Sequence, residues 1–384
     1  MAQLAVCPNT SEVHIYTCVP PGEPSRWEQS AVLAEHDQLV CSLDWGRSSR
    51  QLLSCSHDRN VYVWTPPSAA GGAWTPALVV HHLTRAALCC AWAPGDAKFA
   101  VGSGAGQVSI CFFEGDNNWW VGKLVRGQHG SSVLALAWHP SAPLLATACA
   151  DGTVRVLAAA VRGVDSAPVG GDAKFGDALL QWAPGTGWVH SLSWSPSGAA
   201  LGCVTHGGGA HLMTGLDASV AGEWAARGQG AHGQVTQLPL APGQLPWLSL
   251  IFLTDTLAIA AGFNCAPVVL THSPAGWAVA GELSPTPESA SAGAASKSAF
   301  SERLATFKSQ TDRGEAAPAG RGGDGEGGGG GVPRGGGHMN TITCLRHMPG
   351  TPNGFSTSAL DGRLGVWSAS PAELARAGLA GLKV

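Results

Sequence analysis

The chain has 384 residues, only 12% of them charged, with a formal net charge of −4. That balance gives no global electrostatic case for binding nucleic acid, and the length alone would allow two domains. The 53 glycines and 25 prolines supply many turns and the 15 tryptophans large packing units, which suits a chain of many short strands.

Taken in chain order, Leu4 to Pro8 and Val13 to Tyr16 read as two strands of a first unit. Four further strands then close on a tryptophan: Leu43-Asp44-Trp45, Cys90-Ala91-Trp92, Leu136-Ala137-Trp138 and Leu192-Ser193-Trp194, spaced by 47, 46 and 56 residues. After Trp45 come Gln51 to Ser56, Asp58 and Val61-Tyr62-Val63-Trp64; after Trp138 come Leu144 to Ala148, Asp151-Gly152 and Val154-Arg155-Val156. The step from Trp to Asp is thirteen residues in both. Period-two alternation bounded by Gly, Pro, Asp and Asn makes these strands rather than helices, and a period of about 40–45 residues marks the four-stranded WD40 propeller blade.

Units begin near Val40, Ala87, Val133 and Val189, and two more follow by pattern. Trp247 to Leu253, Thr256 to Asn264 and Pro267 to Leu270 form a sixth blade, and Thr341 to Met348, Gly354 to Asp361 and Arg363 to Trp367 a seventh. The apolar stretch from Leu245 to Leu270 is no membrane span, because Asp255, Asn264 and Pro267 interrupt it at blade turns. The expected fold is therefore all-β, a seven-bladed WD40 β-propeller. Its first blade lacks a first strand, which reads as an N-terminal truncation of the gene model, since an open strand edge is an aggregation liability. The tail from Ser370 to Leu382 is Ala-rich and reads as helical.

Three segments result: 1–283 with blades one (partial) to six, an insert at 284–337, and 338–384 with blade seven and the tail. The insert is rich in Ser, Ala and Pro, then Gly, and is expected to be mostly disordered because it has little to bury. Within it Phe300, Leu304 and Phe307 share one face of an amphipathic helix near 298–309, flanked by Lys297, Arg303 and Lys308. So short a helix needs a surface to fold against, its own propeller or the groove of a partner.

His36, Ser54 and Asp58 are the residue types of a hydrolytic triad. Their spacing fits better a hydrogen-bonded set that pins one blade together, completed by Trp64. His129, Thr147 and Asp151 repeat three places at the same separations, with Leu157 in the tryptophan position, and Thr357, Asp361 and Trp367 repeat three more. A catalytic triad occurs once; this set recurs. No catalytic, cofactor or metal site is expected. His81 and His82 are adjacent and face apart on a strand, His206 and His211 share no face, and the glycine run at Gly327 to Gly331 lacks the Lys and Ser/Thr that grip phosphate. The eleven cysteines are scattered, several inside apolar runs such as Leu88-Cys89-Cys90-Ala91, and no CxxC pair or leader peptide is evident, which points to the cytoplasm.

Several words are more specific than the repeat: Glu12-Val13-His14-Ile15-Tyr16, Asp58 to Trp64 (DRNVYVW), Lys98 to Gly104 (KFAVGSG), Val108 to Glu114 (VSICFFE), Asn118-Trp119-Trp120-Val121 and Gly187-Trp188-Val189-His190. In these the chain resembles the WD40 subunit family of the actin-related protein 2/3 (Arp2/3) complex, from near residue 3 to the C-terminus. The resemblance implies a non-enzymatic scaffold in the assembly that nucleates branched actin filaments, located in the cytoplasm at the actin cytoskeleton. It implies as partners the other complex subunits, including actin-related protein 2 and the small scaffold subunits, together with actin and nucleation-promoting factors, with no nucleic acid and no membrane. It also favours partner binding for the insert helix, through Phe300, Arg303, Leu304 and Phe307, and singles out Trp119 and Trp120. The Gly-rich run from Gly320 to Gly337 is longer than that family leads one to expect. Rival readings are a WD40 adaptor of a ubiquitin ligase or trafficking coat, and an enzyme using the central channel; the apolar first strands, such as Val133 to Leu136, disfavour the latter.

Overall fold

Alternating apolar residues between turn formers become antiparallel strands grouped in seven blades, the second and third of which are joined at their outer strands by a short parallel pairing of Trp120 and Val121 with Val79 and Val80. The computed structural model describes residues 3–18, 27–68, 72–166, 168–169, 172–185, 187–224, 233–283, 338–348, 350–371, 374 and 379. Blade one holds β1 (Gln3–Val6), β2 (Val13–Cys18) and β3 (Trp27–Leu33). Blade two holds β4 (Val40–Trp45), β5 (Leu52–Ser56), β6 (Val61–Thr65) and β7 (Thr75–Val80). Blade three holds β8 (Ala87–Trp92), β9 (Lys98–Ser103), β10 (Val108–Glu114) and β11 (Trp119–Val125). Blade four holds β12 (Val133–Trp138), β13 (Leu144–Cys149), β14 (Val154–Ala158) and β15 (Ala178–Trp182). Blade five holds β16 (Val189–Trp194), β17 (Ala200–Thr205), β18 (Ala210–Thr214) and β19 (Gln234–Leu238). Blade six holds β20 (Trp247–Thr254), β21 (Leu257–Gly262), β22 (Val268–Ser273) and β23 (Gly276–Glu282). Blade seven holds β24 (Ile342–His347), β25 (Gly354–Ala359) and β26 (Leu364–Ser368).

The seven-bladed all-β expectation thus stands, with a fourth strand in each of blades two to six that the pattern did not single out. The sixth blade's second strand is shorter than expected and its third longer. Among the described residues blade one has no strand inside β1, and β26 has no strand outside it. The insert and its amphipathic helix fall outside the described residues, as does most of the tail. Of the tail, Leu374 donates to Ser370 O (2.9 Å), one helical turn, and its side chain is buried.

The first strands of successive blades adjoin one another and form the inner ring. Each of β4, β8, β12, β16, β20 and β24 shifts register against its second strand at the same place, as between Val40 and Ser42, or between Trp247 and Ser249. Such a bulge re-aims the side chain that follows it, and here several of those side chains reach the next blade. Ser42 Oγ accepts from Cys90 N (3.4 Å), Ser191 Oγ from Leu250 N (3.2 Å) and Ser249 Oγ from Leu345 N (3.2 Å). Two residues on, Asp44 accepts from Trp92 N (2.7 Å) and Ser193 from Phe252 N (3.3 Å). The recurrent tryptophans join in from the other side: Trp138 Nε1 donates to Ala91 O and Trp194 Nε1 to Ala137 O.

The apolar core is divided in the same way. Six clusters of buried residues lie at six blade junctions, from one-two (Ile15, Leu52, Trp64) round to six-seven (Ile259, Leu345, Phe355). Every residue of β5, β9, β13, β17 and β21 is buried, whereas β1 has none that is fully so. Between blades seven and two, Arg346 on β24 donates directly to Leu43 O on β4 (3.2 Å). Among the described residues no helix is long and apolar enough to cross a membrane.

Candidate functional site

The polar groups that a hunt for catalysis would choose sit where the loop entering an inner strand meets the turn between second and third strands. In blade two, Asp58 is the anchor. Its carboxylate accepts from the N–H groups of Asn60 (2.7 Å) and Asp37 (2.9 Å) and from His36 Nδ1 (3.0 Å). A carboxylate can only accept, so His36 carries its proton on Nδ1, and Nε2 then accepts from the Ser54 hydroxyl at 2.8 Å. Trp64 Nε1 donates to the same Ser54 oxygen, also at 2.8 Å. The chain Asp58–His36–Ser54 has the order of a hydrolytic triad, but Ser54 is fully buried and capped by the indole, so no substrate reaches its oxygen.

Burial opposes the ionisation of Asp58, yet the two backbone donors and His36 outweigh it and hold the carboxyl below its ordinary value. Burial lowers the pKa of His36, with Asp58 pulling the other way.

Blade seven has the same arrangement with a fourth member that spacing alone did not reveal. His338 Nε2 lies 2.6 Å from Thr357 Oγ1, which also accepts from Trp367 Nε1 (2.8 Å). Asp361 accepts from Met339 N (2.7 Å) and Arg363 N (2.9 Å), and stands 3.5 Å from His338 Nδ1. A signal for His338 does exist: it follows the last glycine of the Gly-rich run, nineteen residues before Thr357, against eighteen from His36 to Ser54.

Blade four departs from the repeated set. Thr147 Oγ1 donates to Arg155 O (3.2 Å), and His129 Nδ1 meets the Arg155 guanidinium (2.9 Å) where His36 Nδ1 meets a carboxylate. Arg155 also bonds Asp151 (3.1 Å) and Thr153. The physical reason is the Leu157 side chain in the tryptophan place, which offers no N–H, so an arginine from the same strand becomes the hub. Burial and the arginine charge push the His129 pKa down to about 4, against the pull of Asp151. His129, Cys149 and Asp151 offer ligand atoms within 4.8 Å of one another. Arg155 already occupies His129 Nδ1 and one Asp151 oxygen with a positive charge, which opposes a cation there. His206 pairs with His190 (Nδ1 to Nε2, 3.0 Å), while His211 is buried beside Trp182.

The tandem tryptophan splits in two because successive residues of β11 face opposite sides. Trp120 is buried against Trp92, Phe99 and Phe113, at ring separations of 5.5, 5.2 and 5.4 Å. It is therefore a packing residue, which corrects its selection as a partner contact. Trp119 is 48% exposed and donates from Nε1 to Glu114 (3.0 Å), across the hairpin. Phe300, Arg303, Leu304 and Phe307 lie outside the described residues. Lys98, the first residue of KFAVGSG, serves the interior. Its buried ammonium holds Ala159 O and the Asp165 carboxylate and lies 5.0 Å from the Trp138 ring, pinning the long loop after β14.

Comparison with known proteins agrees with this geometry. The family described as WD domain, G-beta repeat matches residues 27–65 and 122–156. Each match starts on the outermost described strand of one blade and ends on the third strand of the next, so the sequence repeat straddles two blades. The chain is 36% identical over 380 residues to "Actin-related protein 2/3 complex subunit 1B" of Arabidopsis thaliana, covering 96% of this chain and 91% of that protein. It is 32% identical over 372 residues to "Actin-related protein 2/3 complex subunit 1" of Schizosaccharomyces pombe, covering 94% and 92%. With "Actin-related protein 2/3 complex subunit 1A-B" of Xenopus laevis it shares 36% identity over 282 residues, covering 72% and 70%.

Proposed function

The chain belongs to the Arp2/3 complex subunit 1 family of WD40-repeat proteins, and on that premise we propose that it is a non-catalytic scaffold subunit supporting the nucleation of branched actin filaments. The observation that carries this reading is similarity along 96% of the chain to a protein named as a subunit of that complex. A propeller suits the role, because inner-ring hydrogen bonds and junction cores hold its loops in fixed places without any loop having to move.

The proposed partners are the other subunits, actin-related protein 2 and the small scaffold subunits among them, with actin and nucleation-promoting factors engaged by the assembled complex in the cytoplasm. Trp119 and the helix bearing Phe300, Arg303, Leu304 and Phe307 are the proposed contacts. A tagged chain should co-purify with the other subunits in stoichiometric amount; recovery of the chain alone counts decisively against the reading. In an actin-assembly assay on the reconstituted complex, Phe300→Ala with Phe307→Ala should slow nucleation at least about tenfold, as loss of interface anchors does. Unchanged nucleation would remove that helix from the mechanism.

A further inference from the structure

The exposed large apolar side chains among the described residues fall into two groups. Most lie on third or fourth strands, around the blade rims, such as Leu78, Phe113 and Val235. The other five lie at one end of three consecutive blades: Trp188 (55% exposed), Leu245 (51%), Phe263 (37%), Met339 (60%) and Leu360 (66%). Trp188, Leu245 and Met339 precede the inner strands of blades five, six and seven, and Phe263 and Leu360 stand in the turns after the second strands of blades six and seven.

Backbone hydrogen bonds hold these loops together in pairs. His206 N donates to Trp188 O (2.8 Å), Phe263 N to Pro246 O (3.2 Å) and Leu360 N to Thr341 O (3.0 Å). The three blades are themselves neighbours, joined through Ser191 to Leu250 and Ser249 to Leu345. The matching loops of blades two to four present polar groups instead: Asp37, Gln38 and Arg59, then Thr84 and Arg85, then Asp151.

The face is thus divided into a polar half and an apolar half. On the apolar half the Asp361 carboxylate is taken up by Met339 N and Arg363 N, so the carboxylate beside Met339 and Leu360 is already answered within the chain. Together these five side chains expose on the order of 500 Å², more than half of one partner's share of a standard interface.

We propose that the loops of blades five to seven at this end, centred on Trp188, Met339 and Leu360, are a docking surface for another subunit of the complex, which meets them with an apolar, uncharged face. The proposal rests on the complex membership argued above. A chain that functions within an assembly keeps so large an apolar surface dry by covering it with a neighbour, and the apolar character of these five side chains selects that of the neighbour's face. Trp188 supplies the rigid aromatic anchor, and Met and Leu the adaptable contact around it.

The test uses the full chain co-expressed with the other subunits of its complex. Met339→Asp with Leu360→Asp replaces two side chains more than half exposed, so the melting temperature should stay within about 2 °C of wild type while incorporation into the complex falls at least tenfold. Leu78→Asp with Val235→Asp, on outer strands, should incorporate as wild type does. If wild type and the Met339/Leu360 variant assemble equally, the docking surface is wrong while complex membership stands; if wild type assembles with none of the subunits, both fall. Concentration-dependent dimerisation of the wild type, abolished by the same pair of substitutions, would assign the surface to a second copy and overturn the proposal.

Discussion

Blades two and seven hold the same hydrogen-bonded set in different surroundings. Hydroxyl-to-indole distances are 2.8 Å in both, and hydroxyl-to-imidazole distances are 2.8 and 2.6 Å. Yet Val63, one residue before Trp64, is fully buried, while Val366, one residue before Trp367, is 59% exposed. Blade two lies between a fourth strand of its own and the cores it shares with blades one and three; β26 has neither a described strand nor a described core on its far side. The set is therefore a local product of one entering loop, two strands and their turn, whereas burial is conferred by what stands alongside.

The sharpest way to break this comparison is at the aspartates. Asp58→Ala strands His36 Nδ1 and two backbone N–H groups, and should cost about 3 kcal/mol in urea unfolding. Asp361→Ala should cost about half that, since its histidine is farther away; equal losses would mean that the histidine contact plays no part. Next in size, Val63→Thr places a hydroxyl in a closed core and should cost about 2 kcal/mol, against at most about 0.5 for Val366→Thr. A thermal melt of the pair decides whether the outer side of blade seven is as open as its exposure indicates.

Acid provides a finer probe. His36 and His129 have pKa values lowered by burial, so the folded chain binds fewer protons than the unfolded one. Their stabilisation is complete above the unfolded value of about 6.5 and is lost as pH falls from there, through about 4 for His129. Asp58 and Asp361, both held below the ordinary value of 3.8, add their loss at lower pH. The urea midpoint should thus begin to fall near pH 6.5, well before the carboxylates titrate. His129→Gln should flatten part of that first decline; an unaltered profile would show that blade four's arginine-centred cluster does not sense protons. The smallest effect is expected at Trp119→Phe, whose ring stays large and exposed: stability should change by less than about 0.5 kcal/mol.

Much of the fold was legible because its signals are local. Alternation located three strands in blades two, four, six and seven, the thirteen-residue step from Trp to Asp aligned blades two and four, and His36, Ser54, Asp58 and Trp64 were legible as a set because their separations recur, whereas β3 of blade one was missed. The fourth strands were harder, since Thr75–Val80 and Gln234–Leu238 are mostly exposed and carry weak alternation. His338 was hidden by its place at the end of a glycine run. The hub role of Arg155 had no sequence signal at all, because it arises from what Leu157 cannot donate.

By itself, then, the sequence determined the repeat, the blade count, the polar set of blade two and the family, since each depends on residues close together or on words matched one by one. Tertiary structure alone decided that Trp120 is core and Trp119 surface, that the bulged inner strands turn Ser42, Ser191 and Ser249 toward the next blade, and that apolar loops from three blades gather at one end. Those outcomes depend on which residues from distant parts of the chain are brought side by side. The packing of each blade on the next supplies that proximity, and no local spacing encodes it.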